Sequence, residues 1–181
     1  MKSYNHIIKG VRKNDRRSQL AFYDLFYHPV FQSAYSILSN HEEAEEIMHD
    51  TFLKVFLNVD LLLDDFNAMN RLLKRIATNH AIDVIRKRKD FIVFTDEDDW
   101  IDVADEDDIE EYDVTVSDIK DGIEQLSPAY RSIISLRLLN EMSFSEIAGQ
   151  LAINASTARV QYSRGILKLR NFLKQKIYAY E

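Results

Sequence analysis

Two segments of this sequence contain side chains that could bind an anionic partner, and the clearer one runs from residue 143 to residue 160. It has the layout of a helix-turn-helix, in which Ser143 starts a short helix, Ile153 fills the turn and Asn154 starts a second helix. Hydroxyl and guanidinium groups can hold phosphates, and Arg and Gln can read purine edges. The pattern predicts DNA binding, with a helical hairpin that binds nothing as the alternative. The side chains expected on the exposed side of the second helix are Ser156, Thr157, Arg159, Gln161, Ser163 and Arg164.

The second segment is a predicted helix with apolar spacing over residues 69–85 and many cations. Four basic residues, Arg86 to Lys89, fall at its end, where cations suit the negative end of the helix dipole. Arg71, Lys74 and Arg75 extend the positive charge upstream along the same helix. A helix that is basic along its length favours a surface that faces phosphates.

Catalysis and metal binding have weaker support. Glu46 and His49 have the Glu-x-x-His spacing of di-iron helical bundles, but the second copy that such a site needs does not occur. The acidic residues between Asp96 and Asp113 could serve Mg²⁺ catalysis only if they were held rigidly, and that stretch has few large apolar residues. The sequence has no cysteine and no Gly-rich phosphate loop. It therefore predicts a protein that is not an enzyme, with no catalytic residue, metal, cofactor or small-molecule substrate.

The elements that position these side chains are predicted to be helices throughout, which makes the fold class all-α. The chain has only 4 Gly and 2 Pro, and its apolar residues recur three and four positions apart. Asn40 is expected to cap a helix over about residues 41–58, and Ser127 and Ser143 to cap two later helices. Pro29 is expected to kink its helix or to start a new one. The inward stripe expected around Pro29 is Leu20, Phe22, Phe26, Val30, Phe31, Ala34, Tyr35 and Leu38.

The charge distribution divides the chain into three parts. The net charge is −7, but 12 acidic residues and no basic ones lie between Asp96 and Asp113, so the rest of the chain has a net charge of +5. Repulsion among like charges in a stretch poor in apolar residues predicts a flexible linker. We therefore predict two small helical domains, residues 1–92 and 119–181, joined by an acidic linker at residues 93–118. No segment has the length and hydropathy of a membrane span, and a cytoplasmic protein is expected.

Three blocks, in order and at matching spacing, resemble the extracytoplasmic-function (ECF) sigma factors of bacterial RNA polymerase. Residues 43–56 are similar to the family's polymerase-binding helix, residues 75–86 to its promoter-melting helix, and residues 126–173 to the domain that reads the −35 element. The resemblance implies an alternative sigma factor that binds core RNA polymerase and directs promoter-specific initiation. A free-standing helix-turn-helix regulator, which would bind duplex DNA without polymerase, is the alternative. A sensor domain, however, has no need of a basic helix with this spacing.

The resemblance also implies roles for individual residues. The helix over residues 45–56 would bind the clamp helices of the polymerase's largest subunit, and the loop at about residues 58–66 would form a pocket for a flipped promoter base. The outward contacts to the polymerase would be Glu46, His49, Asp50 and Lys54. The residues matching the family's −10 element helix are Arg71, Lys74, Arg75, Asn79, Asp83 and Arg86.

The partners that the resemblance implies are core RNA polymerase, promoter DNA and an anti-sigma factor, which in this family commonly masks both domains. The protein would bind the polymerase as a monomer. In the family, the linker passes toward the RNA exit path of the polymerase. There the 12 carboxylates would either mimic RNA in a basic channel or only keep a flexible tether solvated.

Some positions depart from the family's pattern. The aromatic residue common near Leu72 is absent, and Phe66 could substitute for it. Ala152 stands where the turn often has Gly, which implies a less extreme backbone conformation. Basic residues common near Val160 and Gln161 are also missing. These departures affect the promoter sequence that is expected, and not the class of protein.

Overall fold

The computed structural model describes residues 4–87 and 114–178, and within these ranges it contains helices and no strand. The chain divides into two compact units between Ile85 and Arg86. The predicted all-α fold with two small helical domains is confirmed. In chain order the helices are α1 (Tyr4–Arg12), α2 (Arg16–Leu38), α3 (His41–Leu57), α4 (Phe66–Lys87), α5 (Val116–Gln125), α6 (Pro128–Ile134), α7 (Phe144–Leu151) and α8 (Ala155–Tyr178).

Most of the predicted acidic linker, residues 93–113, lies outside the described residues, so its flexibility stays a prediction. The last residues of the predicted linker are helical, because α5 begins at Val116. A capping box explains this start: the Thr115 hydroxyl accepts a hydrogen bond from the Asp118 amide, and the Asp118 carboxylate accepts one from the Thr115 amide. The helix therefore begins three residues before the predicted start of the second domain.

The core of the first unit is aromatic and is built on the antiparallel pair α2 and α3. Phe22 and Phe26 of α2 are fully buried, and the Phe22 ring centroid lies 6.1 Å from that of Phe52 on α3. Asn40 caps α3 as predicted, its side chain accepting from the Glu43 amide. Leu20 is 63% exposed, so its place in the predicted inward stripe was wrong. Leu20 lies two positions from both Ser18 and Phe22, which are buried, so its side chain points to nearly the opposite side of the helix.

Pro29 lies inside α2, which is one continuous helix, so the predicted start of a new helix at this position was wrong. Proline removes one helical hydrogen bond, but the neighbouring turns are fixed by packing. Phe26 and Val30 are both fully buried on either side of it. In addition, the Ser33 hydroxyl donates a hydrogen bond to the Pro29 carbonyl at 2.8 Å. Tertiary packing therefore overrides the local tendency of proline to break the helix.

The core of the second unit is mainly aliphatic and depends on the close approach of helices. Ile123, Leu126, Tyr130 and Ile134 of the α5–α6 segment pack against Leu169 of α8. At Gly165, the point where α8 passes α6, an added Cβ would lie 2.9 Å from Ile134 Cδ1. Glycine leaves room for this approach, because any larger residue would require the fully buried Ile134 side chain to shift.

The corner between α5 and α6 is held by an arginine and not by the predicted serine cap. The Ser127 side chain makes no capping hydrogen bond to α6. Instead, Arg131 donates to the carbonyl oxygens of Ile123, Glu124 and Leu126, at 3.3, 2.7 and 2.8 Å. These carbonyls lie at the end of α5, and that of Ile123 also accepts from the Leu126 amide. One guanidinium thus bonds to the end of one helix from within the next.

Candidate functional surfaces

The predicted polymerase-contacting residues all lie exposed on one side of α3, which we call the α3 face. Glu46, His49, Asp50 and Lys54 are exposed there, while Ile47, Thr51 and Val55 of the same helix are buried. The His49 ring stacks on Tyr23 of α2, with centroids 6.4 Å apart and planes 16° apart. The α3 face is therefore a charged surface held in place by buried packing on the other side of the helix.

A groove of about 600 Å³ lies between the end of α3 and the second half of α4. Asp50 contributes a carboxylate, and its Oδ2 lies 4.0 Å from Nδ1 of His80 on α4. The exposed apolar side chains Leu53 and Leu57 stand on the α3 side. The groove thus joins residues predicted to touch the polymerase to residues predicted to touch DNA. Its lining residues are Asp50, Thr51, Leu53, Lys54, Leu57, Asn58, Ile76, Asn79, His80 and Asp83.

The predicted −10 residues follow one broad side of α4, which we call the α4 stripe. Its members Arg71, Arg75, Asn79 and Asp83 are four positions apart, so successive side chains lie above one another. The two arginines and Asp83 are exposed, while Asn79 is half-buried and its Oδ1 has no hydrogen-bond partner among the described residues. The full α4 stripe is Arg71, Lys74, Arg75, Asn79, Asp83 and Arg86.

Arg71 and Arg75 differ from Lys74 within the α4 stripe. Lys74 is half-buried, while the guanidinium groups of both arginines stand in solvent, where they can reach a phosphate. Arg86 is also exposed, in the last turn of the helix. The amide oxygen of Asn79 is buried beside these cations, so in this conformation it is not open to a base. The exposed part of the stripe therefore offers mainly charge attraction to a DNA backbone.

The loop between α3 and α4 contains a 3₁₀ turn at Val59–Leu61, and we call residues 58–65 the α3–α4 loop. Asp65 ends it and caps α4, its carboxylate accepting from the Ala68 amide. Phe66, which the sequence suggested as a substitute stacking residue, begins α4 and is 41% exposed. Its ring lies 5.0 Å from Phe26 and 5.5 Å from Tyr4, so one of its sides is already engaged by the core.

The predicted helix-turn-helix is present as α7 and α8. Ser143 and Glu146 form the predicted capping box, with the Glu146 carboxylate accepting from the Ser143 amide at 2.8 Å. The turn is tighter than expected, because Ala152 adopts the left-handed conformation with φ 55° and ψ 41°. The expectation of a less extreme backbone was therefore wrong. The Ala152 amide donates to Ala148, and this end of α7 requires the left-handed geometry whichever residue is present.

Five of the six residues predicted on the exposed side of α8 reach solvent. Ser156, Arg159 and Ser163 are exposed, and Thr157 and Arg164 are half-buried; we call these five the recognition face. Gln161 is only 6% exposed and its Oε1 has no hydrogen-bond partner among the described residues. Its prediction as an exposed residue was wrong, because three residues after the buried Ala158 the helix turns back to the interior.

The structure adds Arg137, which the sequence did not suggest, to this surface. Its guanidinium lies 5.0 Å from the centre of the Phe144 ring, and that of Arg159 lies 5.8 Å from the same ring. Arg137 also donates to the Met142 carbonyl at 3.0 Å. The ring of Phe144 thus holds two cations near the start of the helix-turn-helix. Arg137 lies six residues before Ser143, outside the helix-turn-helix motif. Only the folded structure therefore shows that it belongs to this surface.

Two negative findings concern the described residues only. No group of three His, Asp or Glu side chains among residues 4–87 and 114–178 could hold a metal ion. None of the described helices is long and apolar enough to cross a membrane. Glu46 and His49 therefore meet no third ligand in the described part of the chain.

Comparison with known families identifies the class of this protein. Residues 22–91 match Sigma-70 region 2, and residues 118–169 match Sigma-70, region 4. The first match covers the α3 face, the α3–α4 loop and the α4 stripe, and the second covers the helix-turn-helix. A free-standing regulator would not account for the first match. The two units are thus the two domains of a sigma-70 type transcription factor.

Individual relatives narrow the class. The chain is 30% identical to the ECF RNA polymerase sigma factor SigW of Bacillus subtilis, and the aligned region covers 92% of this chain and 95% of SigW. It is 28% identical to the ECF RNA polymerase sigma factor SigE of Mycolicibacterium smegmatis, over 80% of this chain and 57% of SigE. The chain belongs to the ECF sigma factors, and it is an alternative sigma factor that directs transcription initiation.

A solved structure has the same fold. The sigma factor RpoE of Bartonella quintana, determined in complex with the anti-sigma factor NepR, matches with a TM-score of 0.52 at 22% identity. The match covers 85% of this chain and 95% of RpoE.

Proposed function

We propose that this sigma factor binds the clamp helices of the largest polymerase subunit through the α3 face. Glu46, His49, Asp50 and Lys54 supply charges of both signs on a helix that is fixed by its buried side. Leu53 and Leu57 are 55% and 74% exposed beside them, and exposed apolar side chains next to charges are typical of a surface that a partner covers.

Promoter melting is proposed for the α3–α4 loop and the α4 stripe. Single-stranded DNA is held by cations along its backbone and by contacts to unstacked bases. Arg71 and Arg75 would hold phosphates, Asn79 would hydrogen-bond a base or the DNA backbone, and the loop would receive the flipped base. The observation that supports this best is the groove that joins the α3 face to Asn79 and Asp83, because it places polymerase and DNA contacts side by side.

Reading of the −35 element is proposed for the recognition face together with Arg137. Arg159 and Arg164 could contact bases or phosphates in the major groove of DNA. The hydroxyls of Ser156, Thr157 and Ser163 could donate hydrogen bonds to the DNA phosphates. Gln161 leaves this set because its side chain is buried. Replacing Gln161 by Met should therefore preserve the −35 preference, whereas Arg159→Ala should weaken it.

The remaining assignments follow the family. The protein would act in the cytoplasm as a monomer bound to core RNA polymerase, without cofactor, metal or enzymatic activity of its own. An anti-sigma factor would restrain it, as supported by the fold it shares with the Bartonella sigma factor that was crystallised with NepR. Such a factor would compete with the polymerase for the α3 face.

The test is to mix the purified protein with core RNA polymerase that lacks sigma and to measure co-elution and transcription from a genomic fragment library. We expect stable binding and discrete start sites. Asp50→Lys should weaken binding, and Arg75→Ala should weaken promoter opening while leaving binding intact. The matched controls are Glu124→Lys on α5 and Arg16→Ala on α2, which change the same charges at exposed positions outside the proposed surfaces. The proposal would be overturned if the controls lost polymerase binding or promoter opening to the same extent. It would also be overturned if the protein alone bound duplex DNA tightly without polymerase.

A further inference from the structure

The first helix makes three hydrogen bonds to three consecutive residues of the α3–α4 loop, 50 to 59 positions along the chain. The Tyr4 hydroxyl donates to the Leu63 carbonyl at 2.7 Å. Arg12 donates through Nη2 to the Leu62 carbonyl at 2.9 Å and through Nη1 to the Asp64 carboxylate at 3.0 Å. The carbonyls of Leu62 and Leu63 lie after the 3₁₀ turn, in a part of the loop that has no helical hydrogen bonds to satisfy them.

Both side chains that make these bonds are held by α1 and its packing. Ile7, Ile8 and Val11 bury the other side of α1. The Tyr4 ring meets the Phe66 ring edge-on, at 5.5 Å between centroids. Burial, together with the nearby carboxylates, raises the pKa of the Tyr4 hydroxyl to about 12, so the group stays a donor throughout the physiological range. The packing of α1 thus holds both donor side chains in place against the loop.

The loop is pinned on one side and open on the other. The Leu62 side chain is buried at 3% exposure, and the Leu63 amide faces the sulfur of Met69 at 3.4 Å. In contrast, the side chains of Val59, Asp60 and Leu63 are exposed. Fixing the backbone at residues 62–64 therefore fixes the shape that the exposed side presents.

We infer that Tyr4 and Arg12 are positioning residues that set base preference in the −10 element by fixing the backbone of the α3–α4 loop. This inference rests on the proposed role of that loop as the pocket for a flipped base. A pocket discriminates among bases only when its polar groups are held in place, because a loop that can rearrange accommodates the wrong base. Tyr4 and Arg12 would act through the loop, without touching DNA themselves.

The first experiment measures the loop itself in the full-length protein, without DNA. Amide hydrogen exchange is compared between wild type and the double variant Tyr4→Phe with Arg12→Met, which keeps the Tyr4 ring and removes the three donors. Opening of residues 62–65 should become at least about fivefold more frequent, as expected for the loss of hydrogen bonds of ordinary strength. The control, Tyr27→Phe with Arg17→Met, makes the same chemical changes at exposed positions and should leave exchange in the loop unchanged.

The second experiment measures specificity on a promoter library with every base at each −10 position, transcribed by polymerase carrying each variant. In the double variant, the ratio of the preferred base to the others at one −10 position should fall about fivefold or more. The −35 preference should not change. A role limited to folding would lower transcription from all templates alike and leave these ratios as they are. Unchanged −10 ratios, or unchanged exchange in the loop, would overturn the inference.

Failure of the inference can be separated from failure of the proposed loop function. Asp60→Ala changes an exposed side chain of the loop without touching α1. If Asp60→Ala alters a −10 ratio and the α1 double variant does not, the loop reads the base but α1 does not set its preference. If neither variant alters any ratio while exchange rises, the loop is not the base pocket, and the inference about specificity falls with it.

Discussion

The two units of the molecule are stabilised in different ways. In the first unit, Phe22 lies within 4.9 to 6.1 Å of the ring centroids of Phe26, Phe52 and Phe56, so a single large apolar cluster joins α2 to α3. In the second unit, the core is smaller and mainly aliphatic, and α8 lies close enough to α6 to require Gly165. Large buried rings stabilise through area, while close helix contacts stabilise only if the geometry is kept.

A second difference is the ion cluster of the second unit. Lys176 near the end of α8 lies 2.7 Å from Asp118 and 2.9 Å from Asp121 on α5. In the first unit, the ion pair between Arg12 and Asp64 is at the surface, and the hydrogen bond from Arg12 to a backbone carbonyl lies beneath it. The comparison indicates that pH should act mainly on the second unit and cavity-forming mutations mainly on the first.

The largest effect is expected from Phe22→Ala. Removing a fully buried ring that contacts three others should lower the free energy of unfolding of the first unit by about 3–5 kcal/mol. Amide hydrogen exchange, recorded at increasing denaturant concentration, measures the free energy of unfolding of each unit separately. Tyr27→Ala on the same helix, at a side chain 46% exposed, should cost much less. Equal losses at the two positions would contradict the account of this core.

Overpacking of the second unit comes next. Gly165→Leu should destabilise that unit by about 1–3 kcal/mol or more, because its Cβ alone would meet Ile134 and Tyr130 at 2.9 and 3.3 Å. Gly149→Leu is the matched control, since an added Cβ there meets nothing within 4 Å. It should be neutral or slightly stabilising through helix propensity. Thermal unfolding of both variants tests whether the loss of stability comes from the clash with Ile134 and Tyr130 or from the replacement of a glycine as such.

A smaller effect is expected from acid. A hydrogen bond from Lys176, followed by those from Thr115, holds the pKa of Asp118 well below its ordinary value of 3.8. A carboxyl with a depressed pKa contributes stability that is present above the unfolded pKa and lost as pH falls toward the folded one. The melting temperature of the second unit should therefore fall between about pH 5 and pH 2.

The Lys176→Met variant tests this attribution. It removes the first cause of the depressed pKa, so the melting temperature should depend less on pH over the same interval. Lys120→Met removes an exposed cation from α5 itself and serves as the control, which should keep the wild-type dependence. A wild-type pH dependence in Lys176→Met would mean that the ion cluster is not the cause.

The smallest effect is expected at the turn. Ala152→Gly should stabilise the second unit by about 0.5–1 kcal/mol, because glycine avoids the steric cost of the left-handed conformation. Ala148→Gly, four residues earlier inside α7, should instead destabilise. Chemical denaturation of the two variants should give changes of opposite sign. The same sign in both would show that the turn is not strained.

Much of the fold could be predicted because it is encoded locally. Asn40 and Ser143 cap the helices that the sequence indicated, and the helix predicted over residues 41–58 is α3 at His41–Leu57. The misses have more than one cause. Leu20 and Gln161 were assigned to the wrong side of their helices, since Leu20 lies two positions from the buried Phe22 and Gln161 three positions after the buried Ala158. Pro29 differs, because packing on both sides of it keeps α2 continuous, which no local pattern records.

By itself, the sequence determined the helical class, the two-part organisation, the helix-turn-helix and the family, since periodicity, caps and motif order are properties of neighbouring residues. Only the tertiary structure decided the rest. It buried Gln161, placed Arg137 beside Arg159 on Phe144, and joined Tyr4 and Arg12 to a loop 50 or more residues away. The physical reason is that such contacts depend on how helices cross, which packing of the whole core settles and no local pattern records.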